Sequence, residues 1–186
     1  MTPIDGNIFA TDRIRLRGVE ESDFEYFFKW ELDSESARMD DEIWYPTSSA
    51  SRREWVQSQT KLTGADDEFR FTIVTHDNIV LGTLNTHTIN RRCGTFMYGV
   101  YIAPEQRKKG YASEAIKLTL RYYFHERRYQ KVNAEVYAFN AASIQLHEQF
   151  GFMLEGRLRR MVYTNGAYHD ALIYGMTREE FEAKYT

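Results

Sequence analysis

Apolar and polar residues alternate along Arg13-Ile14-Arg15-Leu16-Arg17, the period-two signature of a strand with one buried face. The period then changes. Phe24, Phe27, Phe28 and Leu32 recur at three- and four-residue intervals, which predicts a helix with one apolar face. Ser22 and Glu25 have capping-box spacing at its start. Residues 33–63 are less regular, with a helix expected around 51–61. Phe69–Thr75 and residues 79–89 read as two strands of a hairpin across His76-Asp77-Asn78, and after a second polar turn Thr95–Ile102 reads as another strand. Ala112, Ala115, Ile116, Thr119, Leu120, Tyr123 and Phe124 form a helical stripe, and Val132, Ala134, Val136 and Ala138 alternate again. A shorter helix is expected over about 141–149, ended by Gly151. Two closing strands, 156–163 and 168–176, are joined by Asn165-Gly166, a strong hairpin signal. The sum is one mixed α+β domain over residues 1–186. The crossover through the long helix makes its two flanking strands parallel.

Composition narrows the class. With 186 residues, 42% of them hydrophobic, the chain can bury a sizeable core, and 3 prolines leave no obvious linker. A formal charge of −3 argues against nucleic acid or a membrane surface as partner. The lone cysteine, Cys93, excludes an intramolecular disulfide and suits a reducing compartment. No signal-peptide pattern and no apolar run of membrane-spanning length is present, so a soluble cytoplasmic protein is expected. No His/Cys/Asp cluster has ligand spacing, and no metal is expected. The aromatic share, 15%, is compatible with a homodimer.

One stretch carries candidate chemistry. Between the strand ending at Ile102 and the helix opening near Tyr111 lies the basic turn Gln106-Arg107-Lys108-Lys109-Gly110. The first N–H groups of a helix lack intrahelical partners and sit at the positive end of its dipole, which makes an anion site. The three cations add charge, and Gly110 allows close backbone approach. The order of a Walker loop and the glycine triplet of a dinucleotide site are both missing. On its own the turn fits a phosphate site and a solvated basic loop equally well.

Gln106-Arg-Lys-Lys-Gly110-Tyr-Ala112 resembles the Gln/Arg-x-x-Gly-x-Gly/Ala signature of the GNAT superfamily of acyl-CoA N-acyltransferases. Asn140-Ala-Ala-Ser143-Ile-Gln-Leu-His147-Glu-Gln-Phe-Gly151-Phe152 resembles a second element of the same family. Two motifs in order and at family spacing make the likeness specific. It extends from Arg13 to Asp170, and is nearest the branch of ribosomal-protein N-terminal and spermidine acetyltransferases.

The resemblance implies a GNAT fold: a twisted, mostly antiparallel sheet with one splayed parallel pair and helices on both faces. It implies acetyl-CoA as cosubstrate, its pyrophosphate over the amides of Arg107, Lys108, Lys109, Gly110, Tyr111 and Ala112. Its pantetheine arm would pair with the backbone of Val100, Tyr101 and Ile102, and Asn140 would reach the pantetheine or acetyl end. Asn140 is equally suited to N-capping the short helix. Many relatives carry a proton-donating tyrosine where this chain has His147; Ser143 is the other candidate acid, and also faces the cofactor. Some relatives carry a glutamate base on the strand before the turn, where this chain has Met97. No replacement is evident in the sequence, and Glu135, His87, His169 and Asp170 are guesses. Direct attack in a ternary complex is therefore expected, since Cys93 has no paired base.

The acceptor side is least determined. Asp40, Asp41 and Glu42 beside Trp44 and Tyr45 suit an ammonium by charge and cation–π attraction, or form a solvated acidic loop. Asn85 stands where the spermidine enzymes place an acid. A protein N-terminal amine is the leading acceptor, with a polyamine or another small amine as the alternative. A non-catalytic acyl-CoA-binding module is a different class, and phosphotransfer from a nucleotide a third.

Overall fold

Residues 6–40 and 43–185 are described by the computed structural model; Asp41 and Glu42, two expected acceptor-side residues, lie outside them. Seven strands lie side by side in the order β1 (Ile14–Gly18), β2 (Phe69–Thr75), β3 (Val80–Asn90), β4 (Thr95–Ile102), β5 (Lys131–Tyr137), β7 (Ala167–Thr177) and β6 (Met153–Thr164). Neighbours are antiparallel except β4 and β5. Those two run parallel because helix α4 (Tyr111–His125) carries the chain back between them. The order is that of the expected meander followed by strand–helix–strand–helix–hairpin.

Alternation along β4 sorts the helices onto two faces. Phe96 stacks on Tyr123 of α4, with centroids 4.4 Å apart, and the Tyr98 hydroxyl bonds to His147 of α5 (Ala141–Phe150). Tyr101, pointing the other way, packs on Trp30 of α1 (Phe24–Glu31) at 4.9 Å. Helices α2 (Ser34–Asp40) and α3 (Ser49–Thr60) share that second face. The main core lies between the sheet and α4, where Ala115, Ile116, Leu118, Leu120 and Phe124 are wholly buried. Each of the larger ones contributes about 1.5–3 kcal/mol through burial.

Three elements differ from the sequence reading. The capping box sits two residues earlier than Ser22 and Glu25. The chain makes a 3-10 turn over Glu21–Asp23, and the Asp23 carboxylate accepts from the Glu20 N–H at 3.0 Å. Asp23 wins because it has buried partners: Arg17 at 2.7 and 2.8 Å and the Thr72 hydroxyl at 2.9 Å. Helix α2 was not expected because Ser34-Glu-Ser-Ala-Arg-Met-Asp40 has no apolar stripe. It is held by Asp33, whose carboxylate accepts from the N–H and the hydroxyl of Ser36. The closing helix α6 (Arg178–Tyr185), also not expected, is anchored by Phe181, packed 5.5 Å from Phe124, and by Tyr185, which packs 4.7 Å from Phe150 and donates to its carbonyl at 2.8 Å.

Candidate active site

The parallel ladder between β4 and β5 is short. It joins Thr95, Phe96 and Met97 to Lys131, Val132 and Asn133, and no pairing continues beyond. Val100, Tyr101 and Ile102 therefore pair only with β3, leaving their outer backbone edge without a strand neighbour. Strand β4 then runs into a 3-10 turn, Pro104–Gln106, and the basic turn. Lys108 and Gly110 adopt positive φ, +62° and +85°, and α4 starts at Tyr111 with no side chain capping it. Successive N–H groups at a left-handed turn before a helix form an anion-binding concavity.

The turn is braced from outside. Arg13 on the approach to β1 donates to the Lys109 carbonyl at 2.6 Å, pairs with Glu114 at 2.7 Å and lies 4.9 Å from the Tyr111 ring. Arg107 does not reach outward; it donates to the Ile102 carbonyl at 2.9 Å and to the Ser36 hydroxyl at 2.7 Å, linking the turn to α2. Lys109 donates to Gln106 at 2.9 Å. Backbone amides, more than these cations, are what the turn presents.

On the other wall Asn140 N-caps α5: its Oδ1 accepts from the Ser143 N–H at 3.1 Å, and its Nδ2 donates to the Met39 carbonyl at 3.0 Å. Ser143 is partly exposed on the first turn. His147 is not at the surface. It is 4% exposed, edge-on to Phe152 at 5.1 Å and stacked on Tyr174 at 5.8 Å. Its Nδ1 lies 2.7 Å from the Ser143 carbonyl, which can only accept, so Nδ1 carries the proton and Nε2 accepts from the Tyr98 hydroxyl at 2.9 Å. Burial pushes its pKa below the ordinary histidine value against a smaller opposing effect of that carbonyl, which keeps it neutral. His147→Phe is expected to lower stability by about 1–3 kcal/mol, because it orphans the Tyr98 hydroxyl. Chemical denaturation checks this, and a wild-type midpoint would count against a structural role.

The second face of the sheet forms a floor beside the splay. Across it Arg70 of β2 pairs with Asn85 of β3, which pairs with Gly99 of β4. Asn85 Oδ1 lies 3.1 Å from where a Cβ on Gly99 would stand, so the carboxamide covers that glycine. Arg70 donates to Gln59 at 3.2 Å and lies 5.3 Å from the Trp55 ring of α3. Its guanidinium is attracted by Asp40 at the end of α2 and repelled by Arg52. Two residue pairs further along, on the same face, His87 lies opposite Met97. Trp44 and Tyr45 are 64% and 90% exposed, on the segment between α2 and α3. Of the guessed bases, Asp170 is engaged by Arg157 at 2.6 Å and His169 packs edge-on to Phe139 at 4.8 Å. Arg13, Ser36 and Arg70 were missed in the sequence; the expected strand over Phe69–Thr75 included Arg70, but only the register sets it beside Asn85. Among the described residues no group of His, Cys, Asp or Glu could hold a metal ion, and no helix is long and apolar enough to cross a membrane.

A splayed parallel strand pair ending in a glycine turn and helix N-terminus defines an acyl-CoA-binding architecture. The match to the family model for the acetyltransferase (GNAT) domain covers residues 13–153, and the chain belongs to that family. It is 43% identical to the SPbeta prophage-derived uncharacterized N-acetyltransferase YokL of Bacillus subtilis (strain 168), over 94% of this chain and 95% of that protein. It is 26% identical to the spermidine N(1)-acetyltransferase of Escherichia coli (strain K12), over 92% of this chain and 90% of that one. The fold superposes on a spermidine N-acetyltransferase from Vibrio cholerae in complex with CoA and spermine. The TM-score is 0.80 at 22% identity, over 92% of this chain and 99% of that one. The protein is an acetyl-CoA-dependent N-acetyltransferase.

Proposed function

We propose that the acceptor is the α-amine of a peptide or protein N-terminus. The observation that carries this is Arg70, a half-buried cation on the floor beside the splay. A second ammonium within about 4 Å of that guanidinium would be repelled by roughly 1–4 kcal/mol, which disfavours a polyamine and leaves a singly charged amine untouched. The exposed Trp44 and Tyr45 suit a broad, open acceptor such as a peptide. Competition settles the matter: CoA release from acetyl-CoA with an Ala-initiated pentapeptide should exceed that with spermidine at equal concentration. A spermidine preference would assign the site to polyamines instead, with Asp40 and its neighbours offsetting Arg70.

For the donor, the residues present fit acetyl-CoA, which supplies a thioester-activated acetyl group. The open edge of Val100, Tyr101 and Ile102 offers backbone groups with which a pantetheine arm can pair, and the N–H groups from Lys108 to Ala112 suit a pyrophosphate, that of Arg107 being taken by the Pro104 carbonyl. Asn140 stands at the mouth of the splay. In this reading water or Ser143 returns a proton to the leaving thiolate, since the His147 imidazole is neutral with both nitrogens engaged. A cytoplasmic location is part of the same reading, and the exposed Cys93 thiol suits a reducing compartment.

Gly110→Val tests the donor site. At φ +85° a β-branched residue costs roughly 1–3 kcal/mol, while the nearest atom to a new Cβ is Arg13 Nη2 at 3.6 Å, so the penalty is conformational. Acetyl-CoA affinity, read by calorimetry, is expected to fall about tenfold or more with the fold retained. Unchanged affinity would remove the turn from the donor site.

A further inference from the structure

Relatives that use a carboxylate base carry it where this chain has Met97, and a thioether cannot accept a proton from an ammonium. The register places His87 of β3 directly across from Met97, on the face that also carries Asn85. Three observations at His87 are not those of an ordinary surface histidine. Its Nδ1 lies 2.9 Å from the Thr88 hydroxyl, while among the described residues Nε2 has no hydrogen-bond partner. Thr88 has φ +52°, an outlier for a β-branched residue, and the β3–β4 pairing shifts register between His87 and Asn90. Strained residues and bulges of this kind re-aim a neighbouring side chain and concentrate at functional sites. Here they hold the hydroxyl that orients the ring.

We propose, resting on the N-acetyltransferase reading above, that His87 is the general base, displaced from β4 onto β3. The Nδ1–H donates to the Thr88 hydroxyl, and the Nε2 lone pair takes a proton from the acceptor ammonium, directly or through one water. The stoichiometry closes without another reactant. His87 takes the first proton from R–NH3+ and passes it to solvent. The nitrogen then forms the C–N bond as the C–S bond breaks, and the second proton leaving nitrogen neutralises the thiolate. Burial depresses the His87 pKa; of the charged groups facing it, Glu68 before β2 and Glu135 of β5 raise it and Arg70 of β2 lowers it. The ring is thus neutral at pH 7 and able to accept. Glu135 lies past the last β4–β5 pair, on the exposed far wall.

The test is the pH profile of kcat at saturating acetyl-CoA, with the Ala-initiated pentapeptide and with spermidine. Wild type should lose activity on the acid side, below the ordinary histidine range. His87→Gln, which keeps a polar side chain without a titrating ring, should lose about 100-fold in kcat at pH 7. Its acetyl-CoA affinity should be unchanged, and its rate should climb with pH toward the amine's own pKa. Adding Met97→Glu to that variant should return at least tenfold. A His87→Gln enzyme that keeps both the wild-type rate and the acid limb overturns the proposal. So does a rate lost equally at every pH, with acetyl-CoA affinity lost alongside, since that is a structural defect. If wild type releases no CoA with either amine, both acceptor readings are wrong and the base assignment, argued for those acceptors, falls with them. Turnover with spermidine alone would sink only the peptide acceptor, leaving His87 to be judged on its own profile.

Discussion

Gly82→Ala is expected to destabilise the protein by about 3 kcal/mol or more and to weaken acetyl-CoA binding at the same time. A Cβ at Gly82 would stand 2.0 Å from the Tyr101 carbonyl oxygen and 3.0 Å from the Ile102 Cα, and neither neighbour is a flexible side chain. Gly82 pairs with Ile102 at the end of β4, so the backbone that must move is the wall along which the donor is expected to lie. For a chain of this size each kcal/mol lowers Tm by roughly 2–4 °C. Thermal unfolding and calorimetry with acetyl-CoA read the two effects. A variant with wild-type Tm and affinity would mean that β3 can slide past β4 freely, against the close packing described.

Asp23→Ala is expected to cost about 3–5 kcal/mol, because it leaves Arg17 charged and without its partner in the interior. The side chains of Arg17 and Asp23 are 13% and 1% exposed and bonded through two oxygens. Burial alone would raise the Asp23 pKa. The Arg17 guanidinium, the Glu20 N–H and the Thr72 hydroxyl outweigh it and hold the carboxyl below its ordinary value. The sign of the pH effect follows. A depressed folded pKa contributes stability that is full above the unfolded value near 4 and is lost as pH falls through the folded one. Denaturation midpoints of wild type should therefore drop between about pH 4 and 2 more than those of Asp23→Asn, which lacks this titration. Equal acid sensitivity would place the acid-labile charge elsewhere.

Much of this molecule was legible in the chain, for reasons that differ by element. Strands β2 and β4 were read to the residue because short runs rich in apolar, aromatic and β-branched residues ended at polar turns. Helix α4 was legible because six apolar positions and Thr119 share one face. Helix α2 was not, since its stability comes from Asp33 and Ser36 and from contacts with Arg107 and Asn140, which are distant in sequence. The anion-binding turn could be read locally because its chemistry belongs to the backbone. The acceptor floor could not. Arg70, Asn85 and Gly99 become neighbours only through strand register, and no single stretch of sequence carries all three. His147 illustrates the same limit: the family motif put it where many relatives carry a proton donor, but the tertiary packing of Tyr98, Phe152 and Tyr174 decides that its ring is interior.

The short β4–β5 ladder has a thermodynamic meaning. A sheet that closed fully between Gly99 and Ile102 would gain several interstrand hydrogen bonds, each contributing about 0.5–1.5 kcal/mol to the fold. The chain instead leaves a tear in its own sheet, kept open by two walls that diverge after three residue pairs. Stability forgone in the free protein is held in reserve for whatever chain-like molecule completes the tear. Substrate recognition here is thus a deferred part of folding, and amide hydrogen exchange along β4 is where that reserve would be seen to be drawn on.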